Sequence, residues 1–150
     1  LRCVAHAGES DGAQSVRDAV EVLGAERIGH GISALDDSDT LEMLAARRIP
    51  LEICPTSNRL TGVALAHHPQ PYADFERAGC LVTIDCDDPA IFRSSISDEY
   101  AWVERRAGPA ALERFVRNAI AASFAEPAAK RAMDARLAAA VAELRVTPRS

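Results

Sequence analysis

The sequence has no apolar run of about 18 residues, which a membrane-spanning helix would need, and no signal-peptide pattern at its first residues. It also has no block of basic residues. The formal net charge is -5, which argues against binding to a nucleic acid backbone. No Cys-x-x-Cys pair occurs, since Cys3, Cys54, Cys80 and Cys86 lie far apart. Widely spaced cysteines favour reduced thiols in a cytoplasmic protein over a disulfide framework.

The composition is that of an ordinary soluble globular protein, with 48% hydrophobic and 26% charged residues. A chain of 150 residues can form the core of one domain. The chain has no methionine at its start, and the segment LRCVAHAGE begins already inside an apolar run. Because natural proteins seldom begin in the middle of a core strand, we expect the chain to be the C-terminal part of a longer protein.

Short apolar runs and helical patterns alternate over about residues 1–96. The runs are nearly continuous, which favours buried strands in a parallel sheet. Polar side chains follow the runs at their C-terminal ends, where the active sites of (β/α)8 barrels lie. The predicted strands cover residues 2–5, 27–29, 50–53 and 81–84, and the predicted helices cover about residues 14–23, 39–47 and 72–78.

Four βα units predict an α/β fold that is the C-terminal half of a TIM (β/α)8 barrel, because a whole barrel typically has about 250 residues. An open doubly wound sheet is the alternative. Such a sheet usually carries a glycine-rich phosphate loop, and the sequence has none. Residues 1–150 would then be part of one barrel domain whose N-terminal half is absent.

From about residue 97 onwards, the sequence predicts a helical tail with apolar stripes. Gly108 and Pro109 mark the end of one helix and the start of the next. Pro127 marks the start of the last helix. The stripe of that helix consists of Met133, Leu137, Val141 and Leu144. These stripes are predicted to be core-packing faces without chemistry.

Side chains suited to catalysis or metal binding follow three of the predicted strands. His6 and Glu9 belong to the segment HAGE, and His30 lies between two glycines in GHG. Asp87 and Asp88 follow the fourth strand. Taken singly, a strand-end histidine is more often structural, and Asp-Asp-Pro is usually a turn or a helix start. Taken together, they lie at one end of a parallel sheet, where a divalent cation would let the acids crowd together.

The alternation of side chains along a strand predicts where some of these groups point. His6 is expected on the face of its strand that points into the core. Asp85 and Asp87 are expected on one common face, with the following acid pointing elsewhere. His67 and His68 lie in a proline-rich loop and are predicted to be surface residues.

The segments HAGE, RIGHG, LEICPTSN and DDP-x-x-F occur here in an order and at separations that resemble the adenosine deaminase family of zinc-dependent purine deaminases. The resemblance extends to SDEY and NAIAASF in the helical tail. The smaller cytidine-deaminase type is excluded, because its H-x-E and P-C-x-x-C signature is absent.

The resemblance implies a barrel of the metal-dependent hydrolase type, with Zn²⁺ at the carboxyl ends of its strands. It implies that His6 is a zinc ligand and that Asp87 is the last zinc ligand. Glu9 would donate a proton to the purine ring, and His30 would orient or deprotonate the attacking water. Asp88 would hold the purine by donating a hydrogen bond from a protonated carboxyl group to ring N7.

The sequence also departs from the family pattern. The family's His-x-His motif on the first barrel strand is absent, so only His6 and Asp87 remain of the usual zinc ligands. Asp85 and Cys86 stand where relatives often carry Asn-Thr or Asn-Ser. Asp85 is left without a role.

The function predicted from the resemblance is hydrolytic deamination of a 6-aminopurine, with adenosine giving inosine and ammonia in the cytoplasm. Adenine and aminodeoxyfutalosine are alternative substrates. From another class, the chain could be a catalytically silent barrel fragment that serves as an interaction module, although such a protein need not keep both Glu9 and Asp88. The predicted partner is a small purine nucleoside or base, with no nucleic acid and no membrane.

Overall fold

The computed structural model describes residues 1–63 and 68–146. Four strands form one parallel sheet: β1 (Val4–Ala7), β2 (Arg27–His30), β3 (Pro50–Ile53) and β4 (Leu81–Ile84). Their order in the sheet is β1-β2-β3-β4, which is their order in the chain. A doubly wound sheet would reverse its order at a switch point, and this sheet does not. The predicted α/β fold class, four βα units of a barrel, is confirmed.

Helices follow each strand. The first part of the chain has α1 (Ala13–Glu21), a 3-10 helix (Ile32–Asp36) and α2 (Ser38–Arg47). The middle has α3 (Pro55–Leu60), α4 (Pro71–Arg77) and α5 (Pro89–Phe92). The tail consists of α6 (Ile96–Ala107), α7 (Pro109–Ala122) and α8 (Pro127–Val146).

The predicted elements agree with the observed ones except at the start of β1, at the end of α1 and at the short helices. The bounds of β3 and β4 are those predicted, whereas β1 begins two residues later and contains His6. The helix α1 ends two residues earlier than predicted. Three short helices were not predicted: the 3-10 helix, α3 and α5. Of these, α3 and α5 each begin with a proline at the first position.

One face of the sheet is packed by helices and forms the hydrophobic core. Val16 of α1, Leu44 of α2 and Phe75 of α4 are fully buried against it. Burying such a side chain contributes about 1.5–3 kcal/mol, so this face holds the units together. The strand residues on this face are Ile28, Leu51, Ile53, Val82 and Ile84.

The opposite face of the sheet carries charged and polar side chains. Arg27 of β2 forms an ion pair with Glu52 of β3 on this face. His6 and Val4 also point to this side, and Val4 is 43% exposed. The prediction that His6 points into the core is therefore wrong. The buried residue of β1 is Ala7, and His6 points to the opposite face because neighbouring side chains alternate along a strand.

The tail divides into a packed part and an exposed part. Phe115 and Ile120 of α7 are buried, as their stripe predicted. In α8, by contrast, Met133 is 40% exposed and Leu144 is 60% exposed, and no residue from 127 to 144 is buried. The prediction of a core-packing stripe on α8 is wrong, because this helix packs on α7 rather than on the sheet. None of the helices in the described ranges is long and apolar enough to cross a membrane.

Candidate active site

Three potential metal ligands meet at the carboxyl ends of the strands. His6 lies in β1, His30 ends β2, and Asp87 follows β4; one ligand atom of each lies within 4.8 Å of the other two. The two imidazole rings have centroids 5.2 Å apart. His30 Nε2 lies 3.8 Å from Asp87 Oδ2. Imidazole nitrogen and carboxylate oxygen are donor types that zinc binds, so the chemistry of this cluster suits a zinc ion.

The backbone at this edge of the sheet is unusual. His30 has φ 63° and Asp87 has φ 46°, which places both in the left-handed region. A non-glycine residue there costs about 1–3 kcal/mol, and such conformations cluster at functional sites. At Asp87 the chain leaves the extended course of β4. The left-handed turn brings the Asp87 carboxylate beside His30.

The glycines on either side of His30 are required for different reasons. A Cβ at Gly29 would lie 3.0 Å from Cδ2 of the His6 ring, so glycine makes room for that ring. Gly31 has φ 70°, and a Cβ there would lie 2.7 Å from Leu51 Cδ2. The GHG segment therefore fits both histidines against the sheet.

His30 is the most enclosed group of the site. It is 1% exposed, and its Nδ1 lies 2.7 Å from Oδ1 of Asn58. On its other side, Nε2 lies 3.6 Å from Oε2 of Glu9. Glu9, which follows β1, is half-buried and turns back over the strand end towards His30. The predicted acid and the predicted base of the reaction are thus next to one another.

Asp87 is held by a residue that the sequence prediction missed. Ser57 Oγ donates a hydrogen bond of 2.6 Å to Asp87 Oδ2. Ser57 and Asn58 both belong to α3, so one short helix contacts both Asp87 and His30. The signal was in the sequence, because both residues lie in the segment LEICPTSN, but no role followed from that segment alone.

The helix α3 is itself fixed by a buried acid from the tail. Glu99 of α6 is 1% exposed, and its Oε2 accepts a hydrogen bond of 3.1 Å from the backbone N–H of Thr56. Its other oxygen accepts a hydrogen bond from the hydroxyl of Ser94. Glu99 belongs to the segment SDEY, which therefore acts on the site through α3.

Asp88 contacts the backbone of the helix that follows it. Its Oδ1 accepts hydrogen bonds from the N–H groups of Ala90 at 2.9 Å and Ile91 at 3.0 Å, so it is the N-cap of α5. This cap fixes the Asp88 side chain immediately after Asp87. Its contact with a purine stays a prediction.

Asp85 has a partner on its own strand. Thr83 Oγ1 donates a hydrogen bond of 2.6 Å to Asp85 Oδ2, as expected for side chains that share a face. Burial, and to a lesser degree the negative charge of Asp85, raises the pKa of Tyr100 to about 12. Tyr100 is therefore a neutral phenol at physiological pH.

Cys54 and His68 are two further residues of types that can take part in acid–base chemistry or metal binding. Burial, followed by the charges of Asp85 and Asp87, raises the pKa of the Cys54 thiol far above its usual range, so Cys54 is a protonated thiol and a poor nucleophile at neutral pH. His68 is not the surface residue that was predicted: its side chain is 20% exposed, and its Nδ1 lies 2.7 Å from Asp74 Oδ2 of α4. His67 lies outside the described residues.

Comparison with known proteins relates this chain to deaminases. It is 43% identical over 143 residues to the aminodeoxyfutalosine deaminase of Streptomyces avermitilis, covering 94% of this chain and 39% of that protein. It is 39% identical over 135 residues to the adenosine deaminase of Shewanella loihica, covering 89% of this chain and 41% of that protein. The chain thus spans about two fifths of the length of these curated relatives.

A solved structure is similar over most of the chain. The adenine deaminase from Arthrobacter aurescens superposes with a TM-score of 0.84 at 34% identity, over 94% of this chain and 44% of that one. The family model described as adenosine deaminase matches residues 1–140. The predicted resemblance is confirmed, and the chain belongs to the adenosine deaminase family.

Proposed function

We propose that the protein carrying this chain catalyses the zinc-dependent hydrolytic deamination of a 6-aminopurine. One observation carries this proposal: the ligand atoms of His6, His30 and Asp87 lie within 4.8 Å of one another, with the Glu9 carboxylate 3.6 Å from His30. The site thus combines metal ligands with an acid and a base at one edge of the sheet. The relatives support it, because they include adenosine, adenine and aminodeoxyfutalosine deaminases.

His6 and Asp87 would hold the metal, and the donor set of imidazole and carboxylate fits zinc. Bound zinc supplies a Lewis acid that makes water a usable nucleophile at neutral pH. The hydrogen bond from Ser57 leaves Asp87 oriented towards the two histidines. Such a partner of a metal ligand fixes its direction, which is a common feature of metal sites.

The protein's own residues would move two protons. Water attacks C6 of the purine, and His30 accepts the proton that this water loses, at Nε2. Glu9 donates a proton to N1, so that the ring accepts electrons as C6 becomes tetrahedral. His30 then passes its proton to the amino group, the C6–N bond breaks to release ammonia, and the hydroxyl on C6 returns a proton to Glu9 as the 6-oxo purine forms. The 3.6 Å between Glu9 Oε2 and His30 Nε2 lets both groups reach one substrate.

Asp88 would position the purine. Its Oδ1 is engaged by the N-terminus of α5, which leaves Oδ2 as the oxygen that would carry a proton and donate to N7. Because N7 only accepts hydrogen bonds, this contact needs the protonated carboxyl group. Asp88 would then distinguish the imidazole edge of a purine from a ring without N7.

The proposed substrate is adenosine. Aminodeoxyfutalosine is a second candidate, because two aminodeoxyfutalosine deaminases are 43% and 44% identical to this chain, whereas the adenosine deaminase is 39% identical. Both substrates present the same 6-aminopurine to the strand ends and differ in the group on the ribose. The partner is a small molecule in the cytoplasm, without nucleic acid, in keeping with the charge of -5.

The test is a deaminase assay on the zinc-loaded protein at its natural length. Adenosine, adenine and aminodeoxyfutalosine are each supplied, and the release of ammonia is measured together with the zinc content. We expect turnover of one of the three with one zinc per chain. Stoichiometric zinc without turnover of any of them would contradict the proposal and favour the catalytically silent interaction module.

A further inference from the structure

Asn58 is a buried polar residue beside the site to which the proposed mechanism gives no task. It lies in α3 and is 1% exposed. Its Oδ1 is 2.7 Å from Nδ1 of His30, across 28 positions of the chain. Its Nδ2 has no hydrogen-bond partner within the described part of the chain. The carbonyl oxygen of Asn58 is the amide atom that lies nearest to His30 Nδ1.

This contact bears on which nitrogen of His30 carries a hydrogen. A neutral imidazole has one N–H group, and the other nitrogen holds a lone pair. With the Asn58 carbonyl oxygen 2.7 Å from Nδ1, this contact is a hydrogen bond when the hydrogen is on Nδ1. The lone pair is then on Nε2, which faces Glu9 at 3.6 Å and Asp87 at 3.8 Å. A base must present its lone pair at this side to take a proton from water beside the metal.

We propose that Asn58 is a positioning residue whose carbonyl oxygen accepts a hydrogen bond from Nδ1 of His30, so that Nε2 accepts the proton during deamination. This inference rests on the proposed function. An amide suits the place better than an acid, because Glu9 and Asp87 already contribute two carboxylates around the ring.

The position of Asn58 is well determined by its neighbours. The preceding residue, Ser57, is bonded to Asp87, and the N–H of Thr56 is bonded to the buried carboxylate of Glu99. Two contacts with different parts of the chain thus fix α3 on either side of the site. The Asn58 amide has little freedom to withdraw from His30.

The test uses Asn58→Leu in the zinc-loaded protein at its natural length. Leucine has the same branched arrangement of four side-chain heavy atoms but no acceptor. Asn118→Leu is the matched control, because Asn118 is half-buried in α7 and donates to Val82 O at 2.8 Å, on the core side of the sheet. We expect kcat of Asn58→Leu to fall by about 10- to 100-fold, which is typical when the partner of a site histidine is lost. KM and zinc content should stay close to those of the control.

The tautomer is measured directly by 15N NMR of histidine-labelled protein, with His30→Gln identifying the signal. We expect hydrogen on Nδ1 in the parent protein and in Asn58→Asp, which keeps the acceptor, but not in Asn58→Leu. Hydrogen on Nε2 in the parent would overturn the inference, as would equal kcat in the two leucine variants. The parent spectrum decides even if a variant fails to fold.

The two proposals fail in different ways. If no 6-aminopurine is turned over, the proposed function fails and the spectra alone decide whether Asn58 sets the tautomer. If turnover is normal but the parent His30 carries its hydrogen on Nε2, the function stands and the task of Asn58 does not.

Discussion

The carboxyl edge of the sheet and the last helix, α8, differ in how far each side chain is determined by its neighbours. At the edge, His30 and Asp87 each make a hydrogen bond with a side chain of α3 and each have a left-handed backbone. In α8, no side chain up to residue 144 is buried. Substitutions should therefore have large and specific effects at the edge and small effects along α8.

The largest effect is expected at Asp87. Asparagine tolerates the left-handed backbone but replaces an anionic oxygen with a neutral amide, so Asp87→Asn should remove zinc binding and turnover together. Metal content and kcat of the protein at its natural length measure both. Asp88→Asn is the neighbouring control and should keep its zinc. Full zinc occupancy in Asp87→Asn would remove Asp87 from the ligand set.

The next effect concerns Glu9. Glu9→Gln keeps the size of the side chain and loses the transferable proton. We expect zinc and purine binding to persist while kcat falls by about 10²–10⁴-fold, which is the usual contribution of general acid catalysis. Steady-state kinetics beside zinc analysis separate these quantities. A kcat close to that of the parent would exclude Glu9 as the proton donor.

Two substitutions in the helical tail compare a buried side chain of α7 with an exposed side chain of α8. Phe115 is fully buried, and its ring lies edge-on to Tyr72 with centroids 5.8 Å apart. Phe115→Ala should lower the free energy of unfolding by about 3–5 kcal/mol. Leu144→Ala in α8 should change it by less than about 0.5 kcal/mol, because Leu144 is 60% exposed. Chemical denaturation measures both, and a similar loss in the two variants would show that α8 is packed.

The smallest effect at the site is expected from a change in the substrate. If Asp88 donates to N7, an analogue with carbon at this position leaves a buried donor unpaired, which costs about 1–3 kcal/mol or roughly 5- to 150-fold in kcat/KM. Asp88→Asn, whose amide can also donate, should discriminate against the 7-deaza analogue in the same direction. Equal turnover of adenosine and its 7-deaza analogue by the parent would show that Asp88 does not contact N7.

The sequence predicted the strands well because burial leaves a continuous apolar run. The bounds of β3 and β4 agree with the prediction, and the polar strand ends at His6, His30 and Asp87 converge as the parallel sheet requires. The short helix α3 could not be predicted in this way. It depends on Glu99, whose carboxylate accepts a hydrogen bond from the N–H of Thr56, 43 positions earlier in the chain. A local sequence pattern cannot contain that contact.

The sequence also did not predict which side chains contact one another or which helix faces are buried. The segment LEICPTSN contains Ser57 and Asn58, but spacing alone does not tell which strand end each one contacts. The apolar stripes of α7 and α8 have the same helical period. Only the packing of α7 on β4 buries the first, because periodicity indicates a face and not what covers it.

Gly29 and Gly31, which flank His30, should differ in whether a second substitution can compensate for their replacement by alanine. Gly29 lies outside the left-handed region, so alanine there is excluded only by the His6 ring. Shortening His6 should therefore rescue the fold of Gly29→Ala, although not its metal site. Gly31 combines φ 70° with a clash against Leu51, so no single second-site change should restore Gly31→Ala. A suppressor screen for folding would thus find partners for one glycine of this segment and none for the other.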